Sequence, residues 1–153
     1  MLSADSDLGS SDLASGADMA PDICAMIANG ASVVQQTMVA QTMPTPTMGG
    51  TIAPGTYFLT DSKIYQGAPP GTTPVQLKAT QLVSAGVIQS VQQIVGSSNS
   101  VYSTRTYMTS AMTLTLMSTC GVAGTASLGY DATATQYTTY NDSAKTVNVW
   151  TKQ

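Results

Sequence analysis

No histidine and no glutamate occur anywhere in the 153 residues, and charged side chains make up only 8% of them. An ordinary soluble domain carries about 25% charge. Without histidine, neither a Ser-His-Asp triad nor a Cys-His pair can form. Without glutamate, acid–base chemistry falls to aspartate, and past residue 30 only Asp61, Asp131 and Asp142 remain. A Ser-Lys dyad through Lys63, Lys78 or Lys145 has no supporting S-x-x-K or G-x-S-x-G motif. The reading is therefore non-enzymatic. Five basic residues against eight acidic ones give a net charge of −3 with no basic cluster, which argues against a nucleic-acid partner. Two cysteines with no histidine cannot close a zinc site, and no motif calls for a metal or an organic cofactor. The apolar runs are far shorter than the roughly 20 residues of a membrane-crossing helix. Residues 1–20 are rich in Ser, Asp and Gly rather than apolar, so no signal peptide is read there.

What the chain does have is threonine, serine, glutamine, tyrosine and branched aliphatics, a mixture that favours strands. Residues 1–20 contain little to bury and read as a flexible polar tether. "DSDLGSSD" (5–12) has a faint likeness to a calcium loop but lacks the closing glutamate of an EF-hand. Residues 21–153 read as one domain. "PDICAMIANG" (21–30) places Pro21 at a helix start and Gly30 at a stop, predicting a short N-terminal helix of at most two turns. "ASVVQQTMVAQTM" fits a strand that "PTPTMGG" (44–50) ends.

Beyond residue 50, Gly and Pro clusters divide the text into strand-length pieces. "VQLKATQLV" and "VIQSVQQIV" flank a short turn, and so do "VYSTRTYMT" and "MTLTLMST". Residues 83–98 also fit a helix capped by Ser84 and stopped at Gly96. Leu114 and Leu116 alternate with Thr113 and Thr115, a period of two. "GTYFLTDSKIYQG" (55–67) breaks such alternation. Tyr57, Leu59, Asp61, Lys63 and Tyr65 share one parity, so neither face is wholly apolar. The expected remedy is a bulge near Asp61 that delivers Asp61 and Lys63 to water near a rim; the competing reading gives the pair to a ligand.

Successive antiparallel strands with short turns predict an all-β fold, an up-and-down barrel of about eight strands, with a sandwich as the alternative. On the barrel, Tyr57, Tyr65, Arg105, Tyr107 and Trp150 are the candidate ligand-binding residues, gathered at a mouth that accepts a small apolar or amphipathic molecule. The alternative is a cell-surface structural or protein-interaction domain whose interior is filled.

Three stretches, "GGTIAPGTYFLTDSKIYQG", "STRTYMTSAMTLTLMSTC" and "TVNVWTKQ", resemble a group of uncharacterised secreted or lipoprotein-type domains of myxobacteria and their relatives. The likeness runs through Gly49, Gly50, Ile52, Gly55, Tyr57, Leu59, Thr60 and Tyr65, then Arg105, Leu114, Thr115 and Cys120, then Trp150, Thr151, Lys152 and Gln153. It implies a small lipocalin-like β-barrel and an extracytoplasmic location, whether secreted, periplasmic or associated with an outer membrane. It implies no activity. Many such domains carry a lipobox cysteine ahead of a polar tether; residues 1–20 lack that cysteine, so a lipid anchor is expected only on a longer chain. Export in turn implies a disulfide between Cys24 and Cys120, against the alternative of two buried thiols.

Overall fold

The computed structural model describes residues 24–153, so the expected tether and residues 21–23 lie outside the described part. Ten strands follow: β1 (Val34–Gln35), β2 (Thr37–Val39), β3 (Gly55–Tyr65), β4 (Gln76–Ser84), β5 (Val87–Ile94), β6 (Ser100–Ser110), β7 (Thr113–Cys120), β8 (Thr125–Ala132), β9 (Gln136–Asn141) and β10 (Thr146–Lys152). From β3 to β10 each strand pairs antiparallel with the next, and β10 returns to pair with β3. The result is a closed, eight-stranded up-and-down barrel, which leaves those strands no free edge.

No helix forms among the described residues, which corrects the short N-terminal helix over residues 24–30 and, for residues 83–98, bears out the strand–turn–strand reading over the helical alternative. Residues 24–30 are irregular rather than helical. They are held by long-range contacts: a disulfide at Cys24, and at Asn29 a side chain that donates to Lys78 O and accepts from the Thr80 hydroxyl. Residues 83–98 are strand, turn and strand, with Ala85 and Gly86 in the turn. Gly86 adopts φ +71, a left-handed conformation at the second turn position that favours glycine. Closing the barrel supplies long-range pairing on both sides of this segment, and that outweighs its local helical pattern.

Two bulges set which side chains face inward. In β3, Asp61 lies opposite Val149 whereas Leu59 lies opposite Trp150, so Thr60 is the extra residue. The inward parity flips there: Tyr57 and Leu59 are buried before it, Ser62 and Ile64 after it. In β7, Thr119 is the extra residue, since Thr104 faces Cys120 while Arg105 faces Ser118. Paired residues share a face, so Leu114, Leu116 and Ser118 point inward while Cys120 turns out. There it meets Cys24, with Cα atoms 5.4 Å apart. The bridge joins residues separated by 96 positions, and it belongs to an oxidising environment.

From Cys24 the arm runs over the outside of the barrel. Ala31 N donates to the Thr80 hydroxyl, and the arm buries a small outer cluster of Ala31, Thr80 and Val91. It then fills the seam where β3 and β4 part: β1 pairs with Leu77 and Gln76, and β2 runs parallel to Lys63–Tyr65. Farther on, Pro46 lies so close over Gly129 that a Cβ there would sit 2.8 Å from its ring. Asp131 accepts hydrogen bonds from the N–H groups of Thr47, Met48 and Gly49. Gly49, at φ +61, passes against Ala111 O, where any Cβ would collide. The chain then tucks beneath the barrel to enter β3.

That last stretch closes one end. Ile52 is buried with Tyr57, Leu59, Tyr130, Val83 and Leu114; the Tyr57 hydroxyl donates to Ala53 O and the Tyr130 hydroxyl to Gly50 O. The β3–β4, β5–β6, β7–β8 and β9–β10 connections gather at the opposite end, as up-and-down topology demands. No helix among the described residues is long and apolar enough to cross a membrane, which says nothing of a barrel's strands.

Candidate functional site

Above the packed end the barrel is hollow. A cavity of about 300 Å³ occupies the lumen. Val101 and Val122, both exposed, belong to its lining and mark the end at which it opens. Alternation explains the walls. Inward positions on β5, β6 and β9 place Ser90, Ser103 and Thr139 beside Ile88, Leu114 and Leu116, so neutral polar groups share the interior with aliphatics. Toward the seam the polar contacts continue as a chain: Gln36 Nε2 donates to Ser62 Oγ, and Ser62 Oγ donates to Asn148 Oδ1. Ser62 is fully buried, and this chain satisfies its hydroxyl.

The candidate residues separate into three places. Arg105 and Trp150 line the cavity. Tyr57 and Tyr107 belong to the core beneath it: Tyr57 is fully buried, and Tyr107 packs against the same cluster. Tyr65 stands outside the lumen, in a surface groove with Met38, Val39 and Pro69, because the bulge at Thr60 reversed its parity. Asp61 and Lys63 are outside for the same reason. They pair at 3.0 Å on the outer wall, each about two-fifths exposed, and the hydrogen bond that Lys63 donates to Asp61 raises the Lys63 pKa. The ion pair is a solvated surface pair, remote from the lumen.

Tyr137 was not anticipated, and it organises the floor of the cavity. Its ring meets Tyr57 edge-on at 5.0 Å and lies nearly parallel to Trp150 at 6.1 Å. Burial, with smaller contributions from Tyr57 and Tyr107, pushes its pKa well above the ordinary tyrosine range. The hydroxyl therefore keeps its proton at neutral pH and can donate. Nothing in "ATQYTTYN" marks Tyr137 over Tyr140; only the pairing of Tyr137 with Trp150 selects it.

Among the described residues, four buried polar atoms have no hydrogen-bond partner: Gln81 Oε1, Arg105 Nε, Tyr137 Oη and Trp150 Nε1. All four belong to residues that line this one cavity. Native interiors leave few polar groups unmet, so their convergence is a property of the site rather than of scattered packing. The three aspartates among the described residues are occupied elsewhere. Asp61 pairs with Lys63, Asp142 with Lys145, and Asp131 holds the arm and accepts from the Tyr140 hydroxyl at 2.8 Å. Burial works against the Asp131 charge, yet the hydrogen bonds from Met48, Thr47, Tyr140 and Gly49 together keep its pKa below the ordinary value.

No protein-family model matches the chain, and no curated protein or solved structure matches it significantly.

Proposed function

We propose that this protein is a non-enzymatic, extracytoplasmic binding module that holds a small amphipathic molecule inside a lipocalin-like barrel. The observation that carries the reading is the hollow lumen with four unmet buried polar atoms on its wall. Its volume lies at the lower end of the range for small-molecule sites, which mix apolar lining with a few convergent polar groups. No carboxylate lines the cavity among the described residues, and with histidine absent from the chain the lumen offers recognition without an evident general base. The disulfide supports a location outside the cytoplasm. A surface domain with a filled interior is the lesser reading, because a filled barrel would not retain about 300 Å³ of space.

Native mass spectrometry of protein isolated from its own host tests this. A reproducible non-covalent adduct is expected, lost when Ser103→Phe fills the lumen. Bare protein in both preparations would favour the structural reading.

A further inference from the structure

Among the described residues the lumen carries a single charge: Arg105 is the only charged side chain in the cavity lining, and it makes no ion pair with any of them. Its Nε is buried without a hydrogen-bond acceptor. A guanidinium offers five N–H donors and accepts nothing, and it cannot shed its proton. Trp150 Nε1 is likewise a donor only, and Tyr137 Oη carries a proton to give. Trp150 and Tyr137 are 7% and 2% exposed, so neither reaches bulk water freely. Against these donors the unmet set holds one obligate acceptor, Gln81 Oε1.

A cavity with surplus donors and an uncompensated cation selects its occupant by sign. Water can accept hydrogen bonds one at a time, but it brings no charge to balance Arg105. A neutral lipid brings none either, and an ammonium would be repelled. We infer that the lumen receives a small organic carboxylate, its head group on Arg105 and its carbon skeleton against Ile88, Leu114, Leu116 and Leu128. This rests on the binding reading above and narrows it to one chemical class. Arginine matches a carboxylate's two oxygens with a planar pair of donors, which a point charge cannot do. Size follows from the volume: about 300 Å³ is on the order of ten water volumes, room for an acid of roughly ten non-hydrogen atoms.

Trp150 is the only tryptophan in the chain, so its fluorescence reports the lumen directly. Three probes of equal chain length, octanoate, 1-octanol and octylammonium, are titrated against the oxidised protein at pH 7. Octanoate is expected to saturate the signal at least about tenfold more tightly than octanol, the discrimination given by one hydrogen bond to a charged group. Octylammonium should bind more weakly still. Arg105→Gln should erase the preference for acid over alcohol, while Arg105→Lys, which keeps the charge but loses the planar fork, should retain part of it. Circular dichroism checks that both variants fold, and the wild-type comparison stands without them. Equal affinity for octanoate and octanol would overturn the carboxylate inference and leave the binding module standing. Failure of octanoate to bind would also overturn it, whereas the broader reading answers to the native adduct.

Discussion

At the scale of single residues, the break in "GTYFLTDSKIYQG" has a concrete resolution. Thr60 is an inserted residue, so Leu59 and Asp61 face opposite sides of the wall although their numbers share parity. Leu59 is 2% exposed in the core, and Leu59→Ala should lower the unfolding free energy by about 2–5 kcal/mol, as truncation of a core leucine does. Asp61→Asn should cost well under about 1 kcal/mol, since its partner Lys63 is solvated. Urea denaturation of the two variants measures both, and a large loss from Asp61→Asn would contradict its place on the outer wall.

At the scale of elements, the arm from Cys24 to Pro54 is a strap whose anchors can be removed one by one. Gln36 stands between β1 and β2, where its backbone N–H donates to Val75 O and its side chain reaches Ser62. Gln36→Ala should cost about 1–3 kcal/mol, because it strands the fully buried Ser62 with one partner fewer. Hydrogen exchange should then rise along Leu77 and Lys63–Tyr65, the positions that border the seam. The disulfide is the outer anchor. In the chain-entropy picture a loop of this length contributes about 4–5 kcal/mol, so Cys24→Ser should destabilise strongly in a two-state unfolding experiment. The oxidised protein should also be lighter than the reduced form by its two thiol hydrogens.

At the scale of the whole molecule, stability should be nearly flat between about pH 5 and pH 9, because no histidine titrates there. The limits follow from the groups that shift. The Asp131 pKa is lowered in the fold, so its contribution is present above the unfolded value and is lost as pH falls through the folded one. Burial and then the hydrogen bond to Asp131 push Tyr140 up to about 12. Its contribution is complete below the unfolded tyrosine value near pH 10 and is lost as pH rises toward 12. Melting temperatures across pH 3–12 should trace that plateau with a fall at each end. A step near pH 6.5 would show an ionisation these groups do not account for. The same scale governs kinetics: a barrel made of strand pairs and closed by β10 on β3 should fold in milliseconds to seconds, as non-local β topologies do.

The sequence by itself determined composition, and composition determined chemistry: no histidine or glutamate, few charges, and strand formers between Gly and Pro breaks. Local alternation was enough to place Leu114 and Leu116 inward. It was enough also to require some irregularity near Asp61. The tertiary structure decided what periodicity cannot carry across a bulge. One inserted residue at Thr60 sent Tyr65 outside, and another at Thr119 turned Cys120 from the lumen toward Cys24. Closure decided for the hairpin that the turn signals at 83–98 already suggested, over its helical alternative, and drew 24–30 out along the wall, since pairing partners far away in sequence contribute more than a two-turn helix could. Arg105 and Trp150 could be named as candidates from their residue types. That they share a hollow with Tyr137 and Gln81 follows only from the registers of β4 through β10, because burial and unmet hydrogen bonds belong to an enclosed space, and no single strand encloses anything.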